Sequence, residues 1–425
     1  MTRFTTLLAS TALLTGAAFA QTDDSGLGHV EGQAPATGET AAAGAPVETN
    51  PPNAPDQQPA SADQTRAPQP GEMPEIVTEV IAEGLPHLWA MEFLPDGRML
   101  VSAKDGQMMI VTPEGEAGEA IAGVPEVSSA GQGGLLDIVL SPEFSNDQTI
   151  YFSFSEPRDG GNGTSVAKAR LVEGGDTASL EDVEVIFQQM PTYDGDKHFG
   201  SRLVFAPDGN LFVTVGERSD PEPRVQAQDL SSGLGKVFRI TPDGAAAEGN
   251  PFAGQGDALP EIWSYGHRNL QSAALDQEGN LWTVEHGPKG GDELNMPEAG
   301  LNYGWPVITY GVEYSGAEVG EGQTAADGME QPVYYWDPVI GPSGMALYEG
   351  DAIPEWDGAM LIGGLVSQGV VVLHLENGRV ASEERVPLDA RIRDVRVGPD
   401  GAVYAVTEVR GGGDSSIIRL SKAAD

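Results

Sequence analysis

Six times along the chain an apolar stretch runs into a turn and out again into a strand of β-formers, and this repetition limits the possible fold more than any other feature. The copies span residues 91–101 around Pro95-Asp96-Gly97, 138–152 around Ser141-Pro142-Glu143, 203–213 around Pro207-Asp208-Gly209, 274–282 around Gln277-Glu278-Gly279, a looser 345–362, and 395–404 around Pro399-Asp400-Gly401. Proline presets one turn dihedral and glycine accepts a positive one, so each copy reads as a β-hairpin. Their starts lie roughly 45 to 70 residues apart, near the period of four-stranded propeller blades joined by some long loops. With 56 glycines and 31 prolines in a chain that is still 40% hydrophobic, many short strands and tight turns are expected rather than long helices. The expected fold is all-β, a six-bladed β-propeller over residues 74–425.

Two segments precede it. Residues 1–20 carry Arg3, an apolar run through Leu7, Leu8, Leu13 and Leu14, and a small-residue ending Ala18-Phe19-Ala20, the pattern of a secretory signal peptide cut after Ala20. The run is too short to span a bilayer comfortably, and polar sequence follows at once. Residues 21–73 are rich in Ala, Pro, Gly, Thr, Gln and acidic residues with almost no large apolar side chains, so a disordered linker is expected there. The protein should therefore be periplasmic or secreted. It has no cysteine, so a bound metal must take oxygen or imidazole ligands. A net charge of −41 argues against nucleic acid and anionic membrane surfaces, and leaves neutral or basic partners.

Ligands of propellers sit on loops at the channel mouth, so polar clusters beside the repeats are the candidates for chemistry. Gly131-Gln132-Gly133-Gly134 presents one amide between glycines, either a ligand contact or an incidental turn residue. Lys197-His198-Phe199-Gly200-Ser201-Arg202 brings a histidine to the third repeat, suited to proton abstraction unless it is simply packed or on the surface. Trp263-Ser264-Tyr265-Gly266-His267-Arg268-Asn269 offers a guanidinium that could clamp a carboxylate or stabilise developing negative charge, or merely hold a loop. Glu285-His286-Gly287-Pro288-Lys289-Gly290-Gly291-Asp292-Glu293-Leu294-Asn295, followed by Asn302-Tyr303-Gly304-Trp305-Pro306, could turn carbonyls and carboxylates toward a hard cation, though its spacing is not that of an EF-hand. Arg391-Ile392-Arg393 places two arginines on one face of a strand, which suits an anionic ligand or a solvated edge equally.

In this order and on this repeat, the clusters resemble the glucose/sorbosone dehydrogenase family, most closely its bacterial PQQ-dependent aldose sugar dehydrogenases, from about Ile76 to the C-terminus. The resemblance implies PQQ and Ca2+ as cofactors, with His198 as general base and Gln132, Arg268 and Asn269 as cofactor contacts, Arg268 also stabilising charge on the quinone oxygen. It further implies that the carbonyls of Gly287 and Pro288 hold a catalytic calcium, that Glu293 and Tyr303 belong to a second, structural calcium site, and that Arg391 and Arg393 face the carboxylates of PQQ. One position departs from the pattern: where the family commonly has a cofactor-contacting lysine after the fifth repeat's strand, Gly364-Leu365-Val366-Ser367 places Val366. The expected function is oxidation of aldose sugars to lactones, with electrons passed to an unidentified acceptor. A calcium-dependent propeller lactonase and a non-catalytic periplasmic binding propeller are the alternatives.

Overall fold

The computed structural model describes residues 42–175 and 177–424. The expected signal peptide and the linker as far as residue 41 lie outside the described residues. Six antiparallel sheets follow one another along the chain, so the molecule is a six-bladed propeller. Every one of the six repeats forms the two innermost strands of a blade. The innermost strands are Leu88–Phe93, Leu135–Leu140, Leu203–Phe205, Leu270–Leu275, Pro342–Leu347 and Arg391–Val397. At Gly97 and Gly209 the turns adopt φ of +87° and +82°, which L side chains avoid, and this is why glycine closes them.

The ring closes by a device that the repeats do not reveal. In the sixth blade, Arg391–Val397, Val403–Glu408 and Ser415–Lys422 come from the C-terminus, while the outermost strand is the N-terminal Ile76–Leu85, paired antiparallel with Ser415–Lys422. The first blade has three strands among the described residues.

Hydrophobic burial is concentrated in wedges between neighbouring blades. Leu100 and Met108 of the first blade pack with Phe152 and Phe154 of the second, and Trp282 and Leu294 of the fourth with Met360 and Val371 of the fifth. Closer to the axis the blades are linked by hydroxyls. Ser102 donates to the Leu136 carbonyl (2.5 Å), Ser153 to Ser201 (2.7 Å), Thr214 to Leu270 (3.1 Å), Ser272 to Ser343 (2.5 Å) and Ser343 to Ile392 (2.6 Å). The Asp394 carboxylate completes the circuit by accepting the Met91 N–H (2.9 Å). Each buried hydroxyl thus satisfies a carbonyl on the next blade, fixing blade against blade without adding bulk.

Residues 42–73 differ from the expected disordered linker: they form a strap along the fourth and fifth blades. Asp337 accepts the N–H groups of Asn53 (2.6 Å) and Ala54 (2.9 Å), and Arg66 donates to the carbonyls of Glu48, Asn50 and Asp337 at 2.8–2.9 Å. The Ala67 N–H reaches the Tyr334 hydroxyl (2.8 Å), and the Tyr335 N–H reaches the Gln64 carbonyl (2.8 Å). Ala54 and Ala67 are buried. Such a segment needs few large apolar side chains because it docks through main-chain polar groups, which composition does not register. No helix among the described residues is long and apolar enough to cross a membrane.

Candidate active site

Two positions in each blade point toward the same end of the channel: the start of the innermost strand and the end of the second. The first position supplies Trp89, Gln271 and Arg393; the second supplies Lys104, His286, Leu365 and Glu408. With Gln132 from the loop before the second blade, these eight residues line a narrow cavity at the mouth. Of the residues singled out from sequence, Gln132 and Arg393 line it directly.

His198 adjoins this wall. Its N–H donates to Gln132 Oε1 (2.8 Å), and its Nδ1 lies 2.6 Å from Glu217 Oε2. The loop is tightly wound, with His198 itself at φ +50° and Gly216 so close that a Cβ there would sit 2.3 Å from the His198 carbonyl oxygen. Glu217 is buried and also accepts from Trp305 Nε1 (3.1 Å) and the Ser219 N–H (2.7 Å). Burial alone would raise its pKa, but His198, the charge of Arg268 and the Ser219 N–H outweigh burial and hold it below the ordinary carboxylate value. With an anionic acceptor at Nδ1, the imidazole keeps its proton on Nδ1 and presents Nε2 as the basic nitrogen. Burial, aided by the charge of Arg268, depresses the His198 pKa against the pull of Glu217. The ring is therefore neutral near pH 7 and able to take a proton.

Arg268 is held by its own N–H, which donates to Glu285 Oε2 (2.5 Å), and by one guanidinium nitrogen on the His286 carbonyl (3.0 Å). Its guanidinium lies 5.1 Å from the Trp305 ring centre, and its buried Nε has no hydrogen-bond partner. Nearby Tyr314, which the sequence motifs did not flag, turns a buried hydroxyl toward Arg268 without a well-formed hydrogen bond. Burial raises its pKa while Arg268 pulls the other way. Asn269 accepts the Gly200 N–H (3.1 Å) through Oδ1 and so ties the Arg268 loop to the His198 loop.

Arg391 and Arg393 converge on one acceptor, Glu408, which had no motif to mark it. Arg391 reaches Oε1 through Nε (3.2 Å) and a terminal nitrogen (2.8 Å), while Arg393 pairs with Oε2 and donates to Gln271 Oε1 (3.0 Å). Burial would raise the pKa of Glu408, yet the two arginines bring it down to about 2.

The loop after the fourth blade's second strand separates into a strut and a donor set. Asp292 accepts the N–H groups of Gly287, Ile340 and Gly341 at 2.8–2.9 Å, so its oxygens hold the loop in place. Burial raises its pKa to about 7. No hydrogen bond to the Gly287 or Pro288 carbonyl occurs among the described residues. Further from the mouth, Glu293 lies opposite Glu285 across paired strands, and burial with that neighbouring charge raises its pKa strongly. The buried Asn295 Oδ1 beside them has no partner. Two opposed carboxylates and an orphaned amide oxygen suit a hard cation. The Tyr303 hydroxyl is taken up by Met296 and Glu298, so its metal contact would come from the main-chain oxygen. No group of three or more His, Cys, Asp or Glu able to hold a metal occurs among the described residues, so a cation here would depend on carbonyl and amide oxygens.

Residues 85–419 match the sequence profile of the glucose/sorbosone dehydrogenase family. The chain belongs to this family. An aldose sugar dehydrogenase of Escherichia coli is 42% identical over 344 residues, which cover 79% of this chain and 91% of the relative. The crystal structure of the soluble Escherichia coli aldose sugar dehydrogenase in its apo-form superposes with a TM-score of 0.77 at 39% identity, covering 82% of this chain and all of that one. A PQQ-bound aldose sugar dehydrogenase from Streptomyces coelicolor gives a TM-score of 0.67 at 29% identity over 82% of this chain and all of that one. As a member of the glucose/sorbosone dehydrogenase family the chain is an oxidoreductase, and the strap lies outside the matched profile.

Proposed function

We propose that the protein is an exported PQQ- and Ca2+-dependent aldose dehydrogenase that oxidises its sugar to the lactone, with His198 as general base. The observation that carries this reading is the buried Glu217–His198 pair, joined through Gln132 to a mouth that Arg393 also lines, with Arg268, whose Nε has no partner, held on the carbonyl of the mouth residue His286. A proton acceptor, an unsatisfied cationic donor and a pair of arginines meet there. A lactonase has no evident use for all three.

The residues fit PQQ by the chemistry of their donors. Arg391 and Arg393 present guanidinium edges suited to carboxylates, and Gln132, Arg268 and Asn269 complete the contacts. When bound, PQQ supplies the acceptor for the hydride of the anomeric carbon, and Ca2+ on the carbonyls of Gly287 and Pro288 supplies Lewis-acid polarisation. A second Ca2+ at Glu293 and Tyr303 would relieve the opposition of Glu285 and Glu293. His198 Nε2 takes the proton of the anomeric hydroxyl, and Glu217 stabilises the imidazolium that results. Arg268 stabilises negative charge opposite it. The electrons pass to an external acceptor. Cleavage after Ala20 delivers the protein to the periplasm or medium, where its acidic surface and neutral sugar substrate are compatible.

Reconstitution of the purified protein with PQQ and Ca2+, followed by dye reduction with a panel of aldoses, tests the assignment. Turnover that requires both additions is expected. Absence of PQQ binding would overturn it.

A further inference from the structure

We propose that Tyr314 is a second hydrogen-bond donor to the ligand oxygen that Arg268 serves, so that a phenol and a guanidinium together stabilise the charge gathering there during hydride transfer. The inference rests on the PQQ reading of the site, in which that oxygen belongs to the quinone. Arg268 Nε and the Tyr314 hydroxyl are both buried, and neither makes a well-formed hydrogen bond. They are neighbours, for the charge of Arg268 acts on the phenol. The Tyr314 side chain as a whole is only half-buried, so it is the hydroxyl end that points inward. A buried donor left unpaired is costly, and two side by side point to an acceptor that arrives with a ligand.

The phenol is held by its loop rather than by its hydroxyl. Residues 309–314 run beside the loop whose Gly287 and Pro288 carbonyls are offered to Ca2+, and Lys289 and Val312 exchange both main-chain hydrogen bonds (2.9 and 3.0 Å). A Cβ on Gly311 would sit 2.3 Å from the Gly290 carbonyl oxygen, so this approach depends on glycine. The Gly316 N–H donates to the Glu313 carbonyl (2.7 Å), closing a four-residue turn with Tyr314 at its second position, and the Glu313 carboxylate pairs with Arg224 (2.8 Å). Two carboxyl groups lie near the phenol, and both are already spent: Asp292 on the N–H groups of Gly287, Ile340 and Gly341, and Glu217 on His198, Trp305 and Ser219. Burial raises the Tyr314 pKa against the pull of Arg268, so at neutral pH the group stays an O–H that donates without ionising.

Phenylalanine keeps the ring and removes only the donor. Full-length Y314F and the parent are compared in the melting midpoint without cofactor, in the absorption of bound PQQ with Ca2+ present, and in kcat and KM for an aldose. The midpoint is expected to equal or exceed that of the parent, because an unpaired buried hydroxyl is lost. The cofactor absorption should shift, because a donor to the quinone oxygen is gone, and kcat should fall about tenfold or more with KM within about twofold. Parental absorption with parental kcat would overturn the proposal and leave the PQQ reading standing. A loss confined to KM would also overturn it, placing the phenol on the sugar instead, and a midpoint far below the parent would make the hydroxyl structural. If the parent itself binds no PQQ, the reading fails first and the proposal falls with it. A double variant distinguishes a donor from a mere prop for Arg268: in an R268M background Y314F should lower kcat again by about tenfold. No further loss there would overturn the assignment.

Discussion

Arg202 and Arg268 are both buried toward the central channel, 2% and 6% exposed, and both belong to segments leading into an innermost strand, yet their surroundings differ completely. Arg202 spends its donors on the Gln271 carbonyl (2.9 Å), Asp137 (2.7 Å) and Asp394 (3.0 Å), and stacks 4.3 Å from the Trp89 ring centre. Arg268 has one carbonyl, an aromatic face and an unsatisfied Nε. Below Arg202 the network continues through Arg396 to Asp137, Asp394 and Glu92, toward a funnel of about 300 Å³ lined by Val139, Leu140, Phe205 and Met345 at the opposite end of the channel. Saturated partners mark the arginine that holds the blades together. The orphaned donor marks the one left for a ligand.

Substitutions at these two arginines should break in different ways. Arg202→Met leaves Asp137 and Asp394 to share Arg396, and breaking buried pairs of this kind costs about 3–5 kcal/mol. A large fall in the denaturation midpoint is expected. Arg268→Met should cost about 1 kcal/mol in stability, the scale of one hydrogen bond, but lower kcat by about 10²-fold or more. Equal destabilisation by the two would erase the distinction. His198→Gln should reduce turnover by about 10²–10⁴-fold with the thermal midpoint little changed.

The pH response sharpens the comparison further. Because burial depresses the His198 pKa, the acid limb of kcat/KM should lie below the ordinary histidine value, and Glu217→Gln should move it lower still, since Glu217 is what raises it. Rate profiles from pH 4 to 8 would show this. For stability the two ends have opposite signs. Glu408 falls from 4.5 to about 2 in the folded protein, so its contribution is present above 4.5 and lost as pH drops toward 2. Glu92, at the funnel, rises from 4.5 to about 7 because burial outweighs Arg396, so its contribution is present below 4.5 and lost as pH rises through 7. Denaturation of Glu408→Gln should therefore lose the acid-side dependence, and Glu92→Gln should gain stability at pH 8 relative to pH 5. The second effect is modest because a quarter of the Glu92 side chain remains open to solvent.

The smallest effect is expected at the strap. Arg66→Ala removes three carbonyl contacts from a half-buried site and should cost about 1 kcal/mol, read as a small drop in Tm.

The hairpins were legible because turns are local: the Pro-Asp-Gly dihedrals at 95–97, 207–209 and 399–401 are written in consecutive residues, and all six copies, with or without that turn, became inner strand pairs. Closure by Ile76–Leu85 was not, since pairing with Ser415–Lys422 joins opposite ends of the sequence and leaves no local mark. The strap escaped for a different reason, being held by main-chain groups and by Asp337, which lies about 280 residues away. At the site, the motif residues His198, Arg268, Arg391 and Arg393 were visible, whereas Glu217, Glu408 and Lys104 were not, because each sits at or just past the end of a second strand in no recognisable motif. A signal was nevertheless present for Glu408. The turn at 399–401 pairs Val397 with Val403, and extending that register outward brings Arg391 opposite Glu408 across one bulge.

The most direct test is to load the His198→Gln variant and the parent with PQQ and Ca2+, then mix each rapidly with an aldose while following the cofactor's absorbance. The account predicts that both proteins retain the cofactor and that only the parent shows a fast change in absorbance on adding sugar. A change of equal rate in the variant would contradict His198 as the base, and failure of the parent to retain PQQ would contradict the site itself.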